Sequence, residues 1–527
     1  MRSAPAQDFT SQLVEGALLA VVLLPAAWLL VALLGFEYGL DQGIYAVVSD
    51  TLLDGGIPYR DAWDFKPPGI FFAYALARGV LGEGMQAVRV LEALGFASLV
   101  IAFAIYSKRF VGSTRPGLLG GALAVAGHVW LGFWQTAQPE SFAAVLVAWA
   151  LVLATVEPRA GDPRGERRQA LAWFGAGALY AAAALLKPPL GGGILVSAGL
   201  AARRAGRDGV PGTRGVAFAR PLVAFGAGAA LPLAATLVLF AARGGLEELA
   251  EALLLFAPEY TKINVNVTSL PVFAFRSVEF LLFRFSLVNT VGIALLVLLP
   301  PLAGREREGA IHVLGLLAIL LAGIAIQGRF FPYHYGTALP LASLLAGWGL
   351  WKLTRITRRS IVGAGLVVLV LVFLANANGV VDPIRGSVVE RVRVFDKGRV
   401  HNLPKRRVAA LLAAYTQPDA SIYVWGFEPV LYDLAQRRPA SRYVYNAPLL
   451  APWFRARARP RLMRELRRDP PAAIVVQRGD VHPGTSGVRV DSATALRRFP
   501  ELRAFIQAFY EPVETVGDFT IHLPKPG

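Results

Sequence analysis

Leu13–Gly35 reads LVEGALLAVVLLPAAWLLVALLG, and Glu37-Tyr38-Gly39-Leu40-Asp41-Gln42-Gly43-Ile44-Tyr45 follows it almost at once. The first stretch is an apolar run of about 20 residues, the length of a helix that crosses a bilayer. It is too long for the core of a signal peptide and lacks a small-residue cleavage site, so it reads as a helix that stays. The second stretch places a carboxylate, Asp41, where that helix ends. An acid beside the hydrocarbon but outside it is poorly explained by packing. Some twenty residues on stands Lys66-Pro67-Pro68, a basic residue stiffened by proline.

The rest of the chain repeats the apolar pattern. Of its 527 residues 55% are hydrophobic and 17% charged, and mean hydropathy is +0.49; a soluble chain carries about 25% charged residues. The class is polytopic membrane protein. Eleven runs read as spanning helices, near 13–35, 86–106, 115–134, 138–156, 170–186, 189–202, 219–241, 285–303, 309–326, 334–351 and 360–378. Net charge is +17, but the basic residues fall in short loops, which suits topology rather than a nucleic-acid groove. There is no cysteine, which excludes disulfides and thiolate metal sites.

With the N-terminus in the cytoplasm, alternate turns are basic, from Lys108, Arg109 and Arg115 to Lys352, Arg355, Arg358 and Arg359. The opposite turns hold few cations, notably Lys187 and Arg329. Positive residues mark the cytoplasmic side. The loop 36–85, the Gln138/Glu140 turn, Lys187, the loop 242–284, the Arg329–His334 turn and everything after Ala375 then share the outer face. Within those loops Tyr45–Leu53, Gly69–Leu81 and Leu246–Phe256 read as amphipathic helices lying in the interface.

After about Val380 charge rises and apolar runs shorten. The expectation is a membrane domain over 1–379 and a small extracytoplasmic α/β domain over 380–527. Ser421–Trp425, Ala472–Gln477 and Phe519–Leu523 read as strands; Pro429–Gln436 and Thr494–Ala508, broken at Pro500, read as helices.

Asp41 suits a general base that takes the proton of an attacking hydroxyl; equally, it suits the N-cap of a helix starting near Gly43. Glu37 is a rival carboxylate. Lys66 can neutralise a phosphate leaving group, or snorkel at the interface. Glu140 at a helix mouth can orient an acceptor or hold a divalent cation with Asp41, or simply favour the helix dipole. Arg329 suits bidentate phosphate binding, with His334 and Tyr335 beside it for sugar hydroxyls, or belongs to an aromatic belt. No His-x-x-His or His-Glu-x-x-His occurs. A divalent metal held by carboxylates stays open, and no Gly-rich phosphate loop is present. Arg455–Arg468 reads as a basic surface facing water or lipid head groups, or as a contact for an anionic acceptor. His128 is the main ionisable residue inside an apolar run and reads as a helix–helix hydrogen-bonding group.

These motifs resemble the GT-C membrane glycosyltransferases, in particular bacterial members related to protein O-mannosyltransferases (glycosyltransferase family 39) and aminoarabinose transferases. Asp41-Gln42-Gly43-Ile44-Tyr45 is similar to their Asp-Glu-x-x-Tyr motif, with Gln42 in place of Glu, and Lys66-Pro67-Pro68 matches their Lys-Pro-Pro. Pro139-Glu140, Lys187-Pro188 and Arg329–Tyr335 match weaker features. The resemblance implies a GT-C fold of about 11 spanning helices. It also implies inverting transfer of a sugar from a polyprenyl-phosphate donor to a lipid, glycan or protein acceptor, at the outer face of a bacterial inner membrane. Asp41 would be the base. Lys66, Lys187 and Arg329 would hold the donor phosphate, and Gln42, Tyr45, Glu140, His334 and Tyr335 would position sugar or acceptor. Nucleic acid is not an expected partner. A flippase or transporter, a scaffold for the outer domain, and an O-antigen ligase or polymerase are the competing readings. A transporter would require polar residues deep within the helices.

Overall fold

The computed structural model describes residues 20, 22–158, 164–208, 212–263, 269–284, 286–299, 301–357 and 388–526. The expected span at 360–378 lies outside them, as do 13–19 and 21 of the first expected span. Among the described residues four helices are long and apolar enough to cross a membrane: Met85–Val111, Gly165–Leu186, Arg214–Ala242 and Gly304–Gln327; the bent pair Leu270–Arg284 and Val288–Leu298 makes a fifth if counted as one span. Val22–Leu33, Pro139–Ala154 and Ala338–Leu353 are apolar but shorter. The run at 170–186 extends back to Gly165. The run at 189–202 instead begins with a 3-10 turn, Pro188–Gly192, before Gly193–Asp208 becomes helical. Proline at the start of that turn ends the preceding helix at Leu186, as a ring without an N–H must.

Contacts divide the chain otherwise than a single break at 380. One unit takes Met1–Phe36, Arg89–Ala234 and Thr268–Phe395; the other takes Glu37–Val88, Ala235–Val267 and Asp396–Gly527. The second is therefore built from three segments remote in sequence.

The first unit is a helical bundle packed through small residues. A Cβ on Gly177 would meet the Phe225 carbonyl oxygen at 2.1 Å, and one on Gly228 would meet that of Phe174 at 1.9 Å. The helices Gly165–Leu186 and Arg214–Ala242 thus cross with backbones nearly touching, the packing that small side chains allow in a membrane.

The second unit carries a five-stranded sheet. Its strands are β1 (Ser421–Trp425), β2 (Arg438–Pro439), β3 (Ala473–Gln477), β4 (Tyr510–Val516) and β5 (Phe519–Pro524), in the order β2-β1-β3-β5-β4. β2, β1 and β3 are parallel, while β5 is antiparallel to both β3 and β4. The central strands are buried apolar runs, as a sheet covered on both faces requires. β4 is not among the expected strands: Tyr510-Glu511-Pro512-Val513-Glu514 shows little apolar alternation and carries a proline, which an edge strand tolerates.

The interface helices belong to this unit. Gly69–Leu81 has the expected bounds. The helix expected from Tyr45 begins at Leu40 and is mostly buried. The Arg78 guanidinium, itself buried, donates to Asp50 at 2.7 Å and to Asp433 at 2.8 Å, so it ties both helices to Val430–Ala435. A Cβ on Gly43 would lie 2.8 Å from the Val430 amide, and this close seat requires glycine. Leu246–Phe256 is a short α-helix followed by a π-turn rather than a single surface helix. Its Glu251 is buried and held by Arg461 at 2.8 Å. Arg461 lies on Arg455–Arg468, whose Ala458, Leu462, Met463 and Leu466 face inward. At least this arginine of the basic stretch is structural.

Candidate functional site

Asp41 stands in the first turn of Leu40–Leu53, not at its N-cap. The cap is Gly39, and Gln42 Oε1 reaches back to accept from the Gly39 amide at 3.0 Å. Gln42 is fully buried in that role. The half-buried Asp41 carboxylate is left in the first turn, where the helix dipole favours negative charge. Tyr45, fully buried, sits edge-on to Tyr74 at 5.5 Å and near Phe71 at 6.2 Å. The rival acid Glu37 is held by Asn402 at 3.0 Å and Arg406 at 2.7 Å. It is a structural ion pair.

Lys66 lies at the end of a loop pinned on both sides. Tyr59, with φ of 72°, donates its hydroxyl to the Lys66 carbonyl at 2.7 Å. Trp63 donates its amide to the Arg442 carbonyl at 2.7 Å, and its ring packs against Phe256, Phe454 and Tyr445. The Lys66 ammonium lies 5.4 Å from the centre of the Phe65 ring.

Between Trp63 and Phe65 is a residue absent from the sequence-derived candidates. Asp64 is buried, and its Oδ1 accepts from the Tyr445 hydroxyl at 2.8 Å. Its Oδ2 is buried and has no hydrogen-bond partner among the described residues. Burial pushes its pKa up to about 6. The Lys66 ammonium, the Tyr445 hydroxyl and the nearby Phe65 amide oppose that rise, and the Asp41 charge adds to it. His482 is held below the usual imidazole range by burial, against the pull of Asp41. Asp41 and Lys66 therefore act on one buried carboxyl, with Tyr445 and His482 supplied by the C-terminal segment. The only local signal for Asp64 was its place two residues before Lys66.

The other candidates belong to the first unit. Glu140, buried in the first turn of Pro139–Ala154, accepts from Lys187 Nζ at 2.6 Å. Glu140 Oε2 is buried without a hydrogen-bond partner among the described residues. Lys187 also lies 5.7 Å from the Tyr333 ring centre, and Tyr333 meets His334 edge-on at 4.5 Å. His334 Nδ1 is 2.6 Å from the Arg329 carbonyl, and Thr337 donates to the Glu140 carbonyl at 2.8 Å. His334 and Tyr335 lie in the 3-10 turn Pro332–Tyr335, ahead of the helix rather than in it. Arg329, His334 and Tyr335 are all buried. Lys187 is thus engaged by a carboxylate, so an anion held there would meet an ion pair and not a lone ammonium.

What places Glu140 is a buried network. Glu92 Oε2 accepts from Arg89 at 2.9 Å, while Oε1 binds His128 Nε2 at 2.9 Å and accepts from the Ala137 amide. Arg89 also donates to Thr136 at 2.9 Å and to the Phe36 and Phe133 carbonyls. Ala137 is held at φ of 53°, and the helix bearing Glu140 starts directly after it. His128 is the helix–helix group expected, but Arg89 and Glu92 are interior ionisable residues that the sequence reading passed over. Among the described residues no three His, Cys, Asp or Glu side chains cluster to hold a metal.

No protein-family model and no curated protein sequence matches the chain. Solved structures do. ArnT from Cupriavidus metallidurans bound to undecaprenyl phosphate superposes with a TM-score of 0.62 at 13% identity, over 98% of this chain and 99% of that one. The apo state of the same protein gives 0.58 at 13% identity, over 99% and 100%. The apo oligosaccharyltransferase of Archaeoglobus fulgidus aligns more loosely, at 0.45 and 11% identity, over 87% and 69%. ArnT is an aminoarabinose transferase of the GT-C class, and at this similarity over nearly the whole length the chain has the GT-C fold.

Proposed function

We propose that the chain is a membrane glycosyltransferase that moves a sugar from a polyprenyl-phosphate donor to an acceptor hydroxyl at the outer face of the membrane, with inversion. The observation that carries the reading is that the half-buried Asp41 carboxylate, at the mouth of the helix that follows the first apolar run, and the Lys66 ammonium both act on one buried carboxyl, Asp64. The GT-C fold supports it, since the ArnT that superposes on this chain is bound to undecaprenyl phosphate.

The chemistry needs little else. The acceptor oxygen attacks the anomeric carbon from the face opposite the phosphate, the bond from carbon to phosphate oxygen breaks, and the hydroxyl proton passes to Asp41. The phosphate leaves as a stable anion, so a cation suffices to neutralise it. Lys66 has that role. Gln42 and Tyr45 contribute by fixing the turn that presents Asp41. The apolar helices would hold the prenyl tail, with the N-terminus cytoplasmic and the C-terminal segment outside.

The test is transfer from a panel of undecaprenyl-phosphate sugars in membranes. Asp41→Asn should lower turnover about 10²–10⁴-fold, the range of general-base catalysis, with unfolding unchanged. Lys66→Ala should weaken donor binding. Full turnover in Asp41→Asn removes the base assignment, and unchanged donor affinity in Lys66→Ala removes the clamp.

A further inference from the structure

Asp64 has chemistry that the proposed transfer leaves unused. A buried polar oxygen without a partner costs about 1–3 kcal/mol, and such atoms are rare enough in folded proteins that each asks for an explanation. Among the described residues Asp64 Oδ2 has no partner, although the rest of the residue is carefully held. Tyr445 fixes Oδ1 at 2.8 Å from a position 381 residues away, and Trp63 and Phe65 on either side are locked into the aromatic cluster around Phe256. A side chain oriented this firmly, with one oxygen left over, is set up to receive a donor from outside the protein.

The identity of that donor follows from charge. A carboxylate repels a phosphate, and the phosphate already has Lys66. What a carboxyl oxygen accepts is an O–H or N–H, and the group attached to the phosphate in the proposed donor is a polyol. We propose that Asp64 is a specificity-determining residue whose Oδ2 accepts a hydrogen bond from a hydroxyl of the donor sugar, and that Tyr445 of the C-terminal segment is the positioning residue that aims it. The inference rests on the glycosyl-transfer reading of the same site. It gives the C-terminal segment a part in substrate choice: Lys66 reads the phosphate that all donors share, and the Asp64–Tyr445 pair reads the sugar.

The experiment measures binding of bare undecaprenyl phosphate and of undecaprenyl-phosphate pentoses and hexoses to the full-length protein in detergent. The wild type should prefer at least one glycosylated lipid to the bare one. In Asp64→Asn the preferred lipid should lose about tenfold or more in affinity, as expected for one hydrogen bond to a charged group, while bare undecaprenyl phosphate, freed of the repelling carboxylate, binds no more weakly. Tyr445→Phe, which keeps the ring, should give a smaller loss of the same preference. It should also move the acid limb of glycolipid binding to higher pH, because the Tyr445 hydroxyl lowers the Asp64 pKa. Asp41, Lys66 and Tyr59 face the same carboxyl and His482 faces Asp41; none of them is changed by the variant. Wild-type preference and an unmoved acid limb in both variants overturn the inference alone. A wild type that binds neither bare nor glycosylated lipid overturns the functional reading and the inference together.

Discussion

Glu92 and Asp64 are both fully buried carboxylates, and they are held in opposite ways. Glu92 gives its oxygens to Arg89, His128 and the Ala137 amide. Asp64 accepts from Tyr445 at one oxygen, with the Phe65 amide nearby, and its second oxygen has no hydrogen-bond partner among the described residues. A closed network spends its polar groups on itself and fixes a backbone, here the turn that presents Glu140. An open one keeps a polar group in hand for something that arrives. Burial alone does not distinguish structure from chemistry; the count of unmet hydrogen bonds does.

The contrast can be broken from either side. The largest effect should come from Glu92→Ala, which strands Arg89 without its counter-ion. Breaking a buried pair costs about 3–5 kcal/mol, so thermal unfolding of the detergent-solubilised protein should drop sharply; an unchanged transition would mean that the network holds nothing. Asp64→Asn should do the reverse above neutral pH. The native pKa of Asp64, about 6, lies above its ordinary 3.8, so the folded protein binds that proton more tightly than the unfolded chain does. Its contribution is then most favourable at low pH and is lost as pH rises from about 4 to about 6. Unfolding measured across that window should show the wild type losing on the order of 2–3 kcal/mol relative to Asp64→Asn, and parallel curves would contradict this. The smallest effect sharpens the open side. Gly43→Ala puts a methyl 2.8 Å from the Val430 amide and should cost about 1–3 kcal/mol by overpacking, read in the same unfolding assay.

Much of this fold can be read without coordinates, for identifiable reasons. Apolar runs of membrane-spanning length announce themselves locally. So does Gly69–Leu81, which has Pro67-Pro68 before it and Gly82 after it. β1 reads as a buried strand because five residues of one pattern suffice. The site is legible in part. Asp41 stands out because it follows a long apolar run and Lys66 because two prolines follow it, while Glu37, beside the same apolar run, is spoken for by Asn402 and Arg406. What escapes is whatever a remote partner decides. Nothing near Asp64 in sequence reveals Tyr445, and nothing near Glu92 reveals Ala137. The N-cap reading of Asp41 failed because Gln42, read as a substrate contact, closes the cap from inside the helix.

The second unit gathers its parts from 37–88, 235–267 and 396–527. A ribosome makes these in order, and domains settle only as their pieces appear. The stretch bearing Asp41, Asp64 and Lys66 is therefore synthesised long before the tyrosine that orients it, 381 positions later. Until the final third of the protein is delivered, Trp63 lacks its aromatic cover from Phe454 and Tyr445. Completion of this unit is therefore a late event, and a polypeptide halted early would carry Asp41, Asp64 and Lys66 while leaving the Trp63 ring uncovered.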